Sequence, residues 1–414
     1  MEDNVSAPNY DVEAIRRDFP ILQCNVYGKR LAYLDSGASA QKPQFVLDAM
    51  NDFCRCRYAN VHRGIHFLSN AATQSYEDAR EKVRVFLNAQ TAREVVFTKS
   101  ATEAINAVAY GWGMFRLNEG DEIILTVMEH HSNIVPWHFI REQKGVRLVF
   151  VPVDKDGNLH IEDFQKALSK KTKLVSVTHM SNVLGTVPPI KEIIRLAHQN
   201  AIPVLVDGSQ GAVHLTVDVQ DIGCDWYVFT GHKFYGPTGI GVLYGKEHRL
   251  EEMHPFQGGG EMIEDVTTEG VSYNAPPSRF EAGTPPITEA VGLAAAIDYV
   301  QKKDKNAIHA HEADLLIYAH ERLESVKSLR IYGRSSCKGA IVSFEIGGIH
   351  AHDVAMFIDR QGVAIRAGTH CAQPLLQHFG LTSICRASLA MYNNYEDIDQ
   401  LAEALEKARV FFNG

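Results

Sequence analysis

Between residues 94 and 245 the chain alternates short apolar runs with amphipathic stretches of helix length. The apolar runs are EVVFT (94–98), DEIILTV (121–127), RLVFVPV (147–153), KLVSVTH (173–179), IPVLVDG (202–208), DWYVFTG (225–231) and IGVLYG (240–245). Between them lie segments such as ATEAINAVAYGWGM, IEDFQKALS and IKEIIRLAHQN. Near-continuous apolar strands separated by helices form a mainly parallel sheet covered on both faces. An α/β fold follows, with a large domain over residues 27–290 built on a mainly parallel, seven-stranded sheet. A long helix begins within TPPITEAVGLAAAIDYVQKK, and residues 291–414 read as a smaller α+β C-terminal domain. Residues 1–26 hold a short amphipathic helix, DVEAIRRDFP, which Pro20 stops and which is expected to pack on the smaller domain.

A chain of 414 residues with 45% apolar content can bury cores of this size without staples. Its formal charge of -9 argues against a nucleic-acid binder. The seven cysteines (24, 54, 56, 224, 337, 371 and 385) are odd in number and lack framework spacing. Cys54-Arg55-Cys56 has one intervening residue and no second pair, so no metal site is expected. Free thiols point to a reducing compartment. The acidic start has no apolar signal core, and no uncharged apolar stretch reaches about eighteen residues. A cytoplasmic protein away from membranes is expected.

In open α/β sheets, ligands sit beyond the carboxyl ends of parallel strands. After EVVFT comes KSATEA, where Ala101 and Thr102 would begin a helix with free N–H groups suited to an anion; an ordinary helix cap reads the same way. DEIILTV leads into MEHHSNIVPW. Adjacent His130 and His131 do not converge on a metal, and HExxH is absent. An imidazole against a planar ring and a structural histidine both remain open. Asn182 follows KLVSVTH, and Asp207 ends VLVD with Gln210 three residues on. A carboxylate there is costly to desolvate without a cation or donor. Lys233 follows DWYVFTGH. Snorkelling is the bland reading of that lysine. An aspartate opposite a reactive lysine is the arrangement that suits pyridoxal 5'-phosphate. The lysine holds the aldehyde as a Schiff base, and the aspartate keeps the pyridine nitrogen protonated. Neither GxxxxGK[ST] nor an early GxGxxG is present.

LAYLDSGASAQKP, YANVHRGIH, ATEAIN, MEHHSNIVPW, SNVLGT, VDGSQ, FTGHKFYGPTGIG, RFEAGTP, RAGTHCAQP and CRASLAMYN occur in this order. From about residue 10 to the C-terminus the chain resembles the SufS type of cysteine desulfurase, the group II branch of class V among fold-type I pyridoxal-phosphate enzymes. HCAQPLL is equally at home in the CsdA-like paralogue.

The resemblance implies a role for each residue. Lys233 holds the cofactor and moves the substrate α-proton, Asp207 pairs with the pyridinium nitrogen, and Gln210 donates to the phenolate oxygen. His130 stacks on the ring and assists proton transfer. Ala101, Thr102, Thr230 and His232 hold the phosphate, with Thr284 reaching in from the other subunit of a homodimer. Ala101 replaces a threonine of some relatives, so any hydroxyl contact there is absent. Arg386 clamps the substrate carboxylate beside Asn182, while Arg366, Arg57 and His62 line the pocket.

Four residues separate Arg366 from Cys371, which stands in a short polar loop whose surroundings favour an exposed, partly ionised thiol. Cys24, Cys54, Cys224, Cys337 and Cys385 read as buried hydrophobes. By the same resemblance, Cys371 attacks the sulfur of L-cysteine, L-alanine leaves, and the persulfide passes to an acceptor of the SufE or SufU type for iron–sulfur cluster assembly. A selenocysteine lyase is the alternative on the same scaffold.

Overall fold

In the computed structural model, which describes residues 10–413, all seven apolar runs are strands of one sheet. They are β1 (Val95–Thr98), β2 (Glu122–Thr126), β3 (Arg147–Val151), β4 (Thr172–Thr178), β5 (Val204–Asp207), β6 (Trp226–Thr230) and β7 (Gly241–Gly245). Their spatial order is β1-β7-β6-β5-β4-β2-β3. The β6-β5-β4-β2-β3 run is parallel; β7 is antiparallel to both neighbours. β1, β2, β5, β6 and β7 are buried at every position, which is why they carry no alternation in sequence.

Before the sheet come helices α1 (Val12–Arg17), α2 (Gln44–Cys56) and α3 (Phe67–Leu87). Helix α4 (Ala101–Val108) starts directly after β1, capped by Ser100 Oγ, which accepts from the Glu103 N–H. The helix expected through Met114 widens into a π turn at Ala109–Gly113, where the His254 N–H takes the Gly111 carbonyl.

The C-terminal unit is a four-stranded antiparallel sheet of β8 (Leu329–Tyr332), β9 (Ile341–Ile346), β10 (Arg366–Gly368) and β11 (Ile384–Ser388). Its order is β8-β9-β11-β10. Helices Lys305–Glu324 and Tyr395–Asn413 pack on it through Leu315, Phe344 and Leu405.

Two segments near the expected boundaries at 27 and 290 pack across them. Ala32 and Leu34 lie in the C-terminal core, because Ala32–Tyr33 pairs in parallel with Val363–Ala364. Helix α5 (Ile287–Gln301) belongs to the large core, packed on α2 and α3. The N-terminal segment, of which residues 1–9 lie outside the described residues, ties both units together. Arg16 of α1 donates to the Tyr392 carbonyl at 2.8 Å and to Asp397 at 3.0 Å. Phe19 packs its ring against Tyr235, Tyr299 and Tyr392. Among the described residues no helix is long and apolar enough to cross a membrane, and no group of three or more His, Cys, Asp or Glu could hold a metal.

Candidate active site

A cavity of about 230 Å³ opens at the carboxyl ends of the parallel strands, under Arg366, Cys371 and Arg386 of the C-terminal unit. Its floor is the set of residues that follow each strand. β1 is followed by Ala101 and Thr102 at the first turn of α4, where backbone N–H groups have no partner inside the helix. β2 leads to His130. The Ser132 N–H donates to His130 Nδ1 at 3.1 Å, so the neutral ring carries its proton on Nε2. Burial, reinforced by the Lys233 charge, pushes the His130 pKa down to about 3. Ser132 Oγ lies 2.7 Å from Thr102 Oγ1, joining the β1 and β2 loops.

Asp207 ends β5, where its Oδ1 accepts from the Ser209 N–H at 2.9 Å and Ser209 Oγ at 2.6 Å. Beyond β6, Gly231–Lys233 make a single 3-10 turn that brings Lys233 to the cavity wall. Burial lowers the Lys233 pKa to about 8, against the pull of Asp207. A buried amine at that value is an accessible nucleophile. His232, held neutral by burial with a pKa of about 4, also lines the cavity. Thr230 and Gln210 also have protein partners. Thr230 Oγ1 donates to the Ile240 carbonyl at 3.3 Å, and Gln210 gives one amide N–H to the Gly37 carbonyl at 2.7 Å.

Arg386, from β11, is 2% exposed. It donates through Nη1 to the Asn182 carbonyl at 2.9 Å and through Nη2 to Asp35 at 3.0 Å. Its Nε is buried with no partner. An unsatisfied buried donor costs about 1–3 kcal/mol, which an incoming carboxylate would restore. Asn182 Nδ2 in turn holds the His370 carbonyl at 2.8 Å.

Cys371 is exposed in a tight loop. Gly368, His370 and Cys371 all have positive φ (129°, 51° and 54°). His370 donates from Nε2 to the Ile384 carbonyl at 2.8 Å, and the Cys371 carbonyl accepts from the His131 N–H at 2.6 Å. The thiol is therefore presented by a fixed loop.

Three expected site residues stand outside the cavity. Arg57 caps the end of α2. His62 takes a left-handed turn (φ 70°) and pairs with Glu77 at 3.0 Å, in a depression shared with Glu261 and Glu281. Thr284 lies in another depression, with Glu103 and Gln257. Of the five cysteines expected to be buried, Cys224 and Cys385 are; Cys24, Cys54 and Cys337 are exposed.

The donor set fits pyridoxal 5'-phosphate. An oriented carboxylate faces the cavity from β5, a buried low-pKa amine from β6, a neutral imidazole from the β2 loop and a helix N-terminus from β1. Residues 32–401 match the class-V aminotransferase family. The chain belongs to that family. A cysteine desulfurase of Enterobacter sp. (strain 638) is 50% identical over 400 residues, 96% of this chain and 98% of the relative. A cysteine desulfurase of Synechococcus elongatus is 48% identical over 404 residues, 98% of this chain, which spans 64% of that longer protein. Among solved structures, the cysteine desulfurase CsdA of Escherichia coli in its S-sulfonic acid form aligns with a TM-score of 0.91 at 38% identity, over 98% of this chain and 100% of that one.

In this class-V chain the cofactor is pyridoxal 5'-phosphate. Two residues that hold cavity side chains in place were missed in the sequence. Asp35 bridges the arginines, 3.0 Å from Arg386 Nη2 and 3.6 Å from Arg366 Nε. Ser209 orients Asp207. The signal for Asp35 was present in LAYLD, an apolar run ending in a carboxylate as VLVD does.

Proposed function

We propose that this protein removes sulfur from L-cysteine, releasing L-alanine and keeping the sulfur as a persulfide on Cys371. The observation that supports it most is the presence of Lys233, Arg386 and Cys371 around one cavity. The unpartnered Nε of Arg386 takes the substrate α-carboxylate. The first turn of α4 would receive the cofactor phosphate, Asp207 the ring nitrogen, and neutral His130 the ring face. Bound pyridoxal 5'-phosphate supplies an electron sink for the bonds around the substrate α-carbon. The Lys233 amine takes the α-proton and later returns it. The Cys371 thiolate forms a bond to the substrate sulfur, the carbon–sulfur bond breaks with its electron pair left on carbon, and protonation of that carbon yields the methyl group of alanine. Overall, a thiol and L-cysteine become a persulfide and L-alanine, which makes the reaction a sulfurtransfer.

The finer reading continues from the same geometry. A loop pinned by His131 and Asn182 cannot carry a persulfide far, so an acceptor of the SufE or SufU type docks at Cys371 and carries the sulfur to iron–sulfur cluster assembly in the cytoplasm. Thr284, Arg57 and His62, which lie outside their own chain's cavity, complete the cavity of a second copy in a homodimer.

Cys371→Ala tests the proposal. The variant should fold, stay yellow and bind L-cysteine, since Lys233, Asp207 and Arg386 are untouched. Alanine release should drop by at least about 10³-fold, within the loss of up to about 10⁶-fold that removing a nucleophile can cause. Near-normal alanine release would end the proposal.

A further inference from the structure

One deeply buried carboxylate beside the cavity is not used by the reaction above. Glu129 has no exposed surface and lies between the ends of β2 and β4, immediately before His130. Its Oε1 accepts from Thr126 Oγ1 at 2.6 Å and from the Thr178 N–H at 3.1 Å, and its Oε2 accepts from Asn133 Nδ2 at 2.7 Å.

The polarity of this network is fixed from outside. Trp137 Nε1, which can only donate, and Ser176 Oγ both give to Asn133 Oδ1, at 3.1 and 2.5 Å. The amide nitrogen of Asn133 must therefore face Glu129. The Met128 N–H gives to Thr126 Oγ1 at 3.1 Å, which leaves the hydroxyl proton for Glu129. Every group is satisfied, and such networks favour one arrangement over others. Burial raises the Glu129 pKa to about 7 while the three donors oppose it.

The network holds the turn from Thr126 to Asn133, and that turn carries two consecutive histidines with different tasks. His130 lines the cofactor cavity. His131 faces the Cys371 loop: its N–H gives to the Cys371 carbonyl at 2.6 Å, and its Nε2 accepts from the Gln373 N–H at 3.2 Å.

We propose that Glu129 is a positioning residue whose carboxylate fixes this one turn, and thereby sets the cofactor side of the cavity in register with the thiol that accepts sulfur. The inference rests on the function proposed above. Its requirement is for acceptors facing three donors, not for a charge as such. Whichever way its amide is turned, Glu129→Gln sets an NH₂ against a fixed donor: Asn133 Nδ2, whose oxygen Trp137 and Ser176 hold, or the Thr178 backbone N–H. Glu129→Gln together with Asn133→Asp restores complementarity with the roles exchanged, since the new carboxylate would accept from the new amide, from Trp137 and from Ser176.

The experiment compares wild type, the single and the double variant as holoenzymes. It reads kcat and KM for alanine formation, the rate of Cys371 alkylation by iodoacetamide located by peptide mapping, and the circular dichroism of the visible cofactor band. The single variant should lose on the order of 10²-fold in kcat, the scale of a small misplacement of reacting groups. Its KM should barely move, because Arg386 is untouched, while the alkylation rate and the dichroic band both change. The double variant should return all of these close to wild type. A single variant that does not fold beside a double variant that folds and works also supports the assignment. Unchanged kcat and alkylation in the single variant would overturn it, as would a double variant that stays impaired or does not fold. If wild type itself makes no alanine, the proposed function fails, and alkylation and dichroism still decide the role of Glu129.

Discussion

Lys233 shows how a local sequence turns an ordinary side chain into a reagent. Five buried strand residues and a 3-10 turn place its amine in a cavity walled by Arg386 and Arg366, and burial brings its pKa down from 10.5 to about 8. The amine reacts with an aldehyde only as the free base. In the apo-protein the rate of pyridoxal 5'-phosphate uptake, followed by growth of the visible band, should rise tenfold per pH unit below about 8 and then level off. The sign follows from the depressed value: below it the amine is protonated, and above it no further free base forms. A rate still climbing steeply at about pH 9.5, nearer the ordinary lysine range, would mean an exposed lysine carries the cofactor. At this scale the sequence was most readable where a polar residue follows an apolar run, as with Asp207, Asn182, His130 and Lys233. It was least readable where the partner lies far along the chain. Asp35 meets Arg386 351 residues later, and nothing near Glu129 announces that the Thr178 N–H, 49 residues on, will close over it.

At the level of elements, α4 and β7 depend on each other. β7 runs antiparallel beside β1, so its first residue lies directly against the start of α4. A Cβ on Gly241 would stand 2.3 Å from the Ser100 carbonyl carbon and 2.7 Å from Ala101 N. Neither backbone atom can yield without moving the first turn of α4, the proposed phosphate site. Gly241→Ala should therefore destabilise the protein by about 1–3 kcal/mol, the usual cost of overpacking, and should weaken cofactor retention in dialysis. A stable variant that keeps its cofactor as wild type does would detach β7 from the phosphate site. Five of the seven strands are buried at every position, and burial on both faces leaves the continuous apolar runs that made them legible. The partner of Ala32–Tyr33 was not legible, since nothing in a two-residue strand points to Val363–Ala364. Cys24, Cys54 and Cys337 were misplaced for a related reason: apolar character states a preference, and burial is settled by what the fold puts on top.

For the whole molecule, the exposed apolar surface around the loop between α2 and α3 is unusual. Ile65 is 98% exposed and Phe67 81% exposed, close in the chain to His62 and Arg57. Scattered exposed apolar residues are ordinary, but a cluster beside expected site residues fits a covered surface. The proposed homodimer should sediment as twice the 46.1 kDa chain at micromolar concentration. Thr284→Ala should leave that mass unchanged while lowering cofactor affinity. A monomer that holds its cofactor with full activity would remove Thr284, Arg57 and His62 from the site.

The central claim is that one cavity joins a lysine-held cofactor to a thiol that takes sulfur, and sulfur on that thiol is its direct signature. Holoenzyme incubated with L-cysteine in the absence of reductant, then analysed by intact mass and peptide mapping, should gain one sulfur atom on Cys371, removable by a thiol reductant. Steady alanine release with no sulfur found on Cys371, or with the added sulfur on another cysteine, would contradict the account.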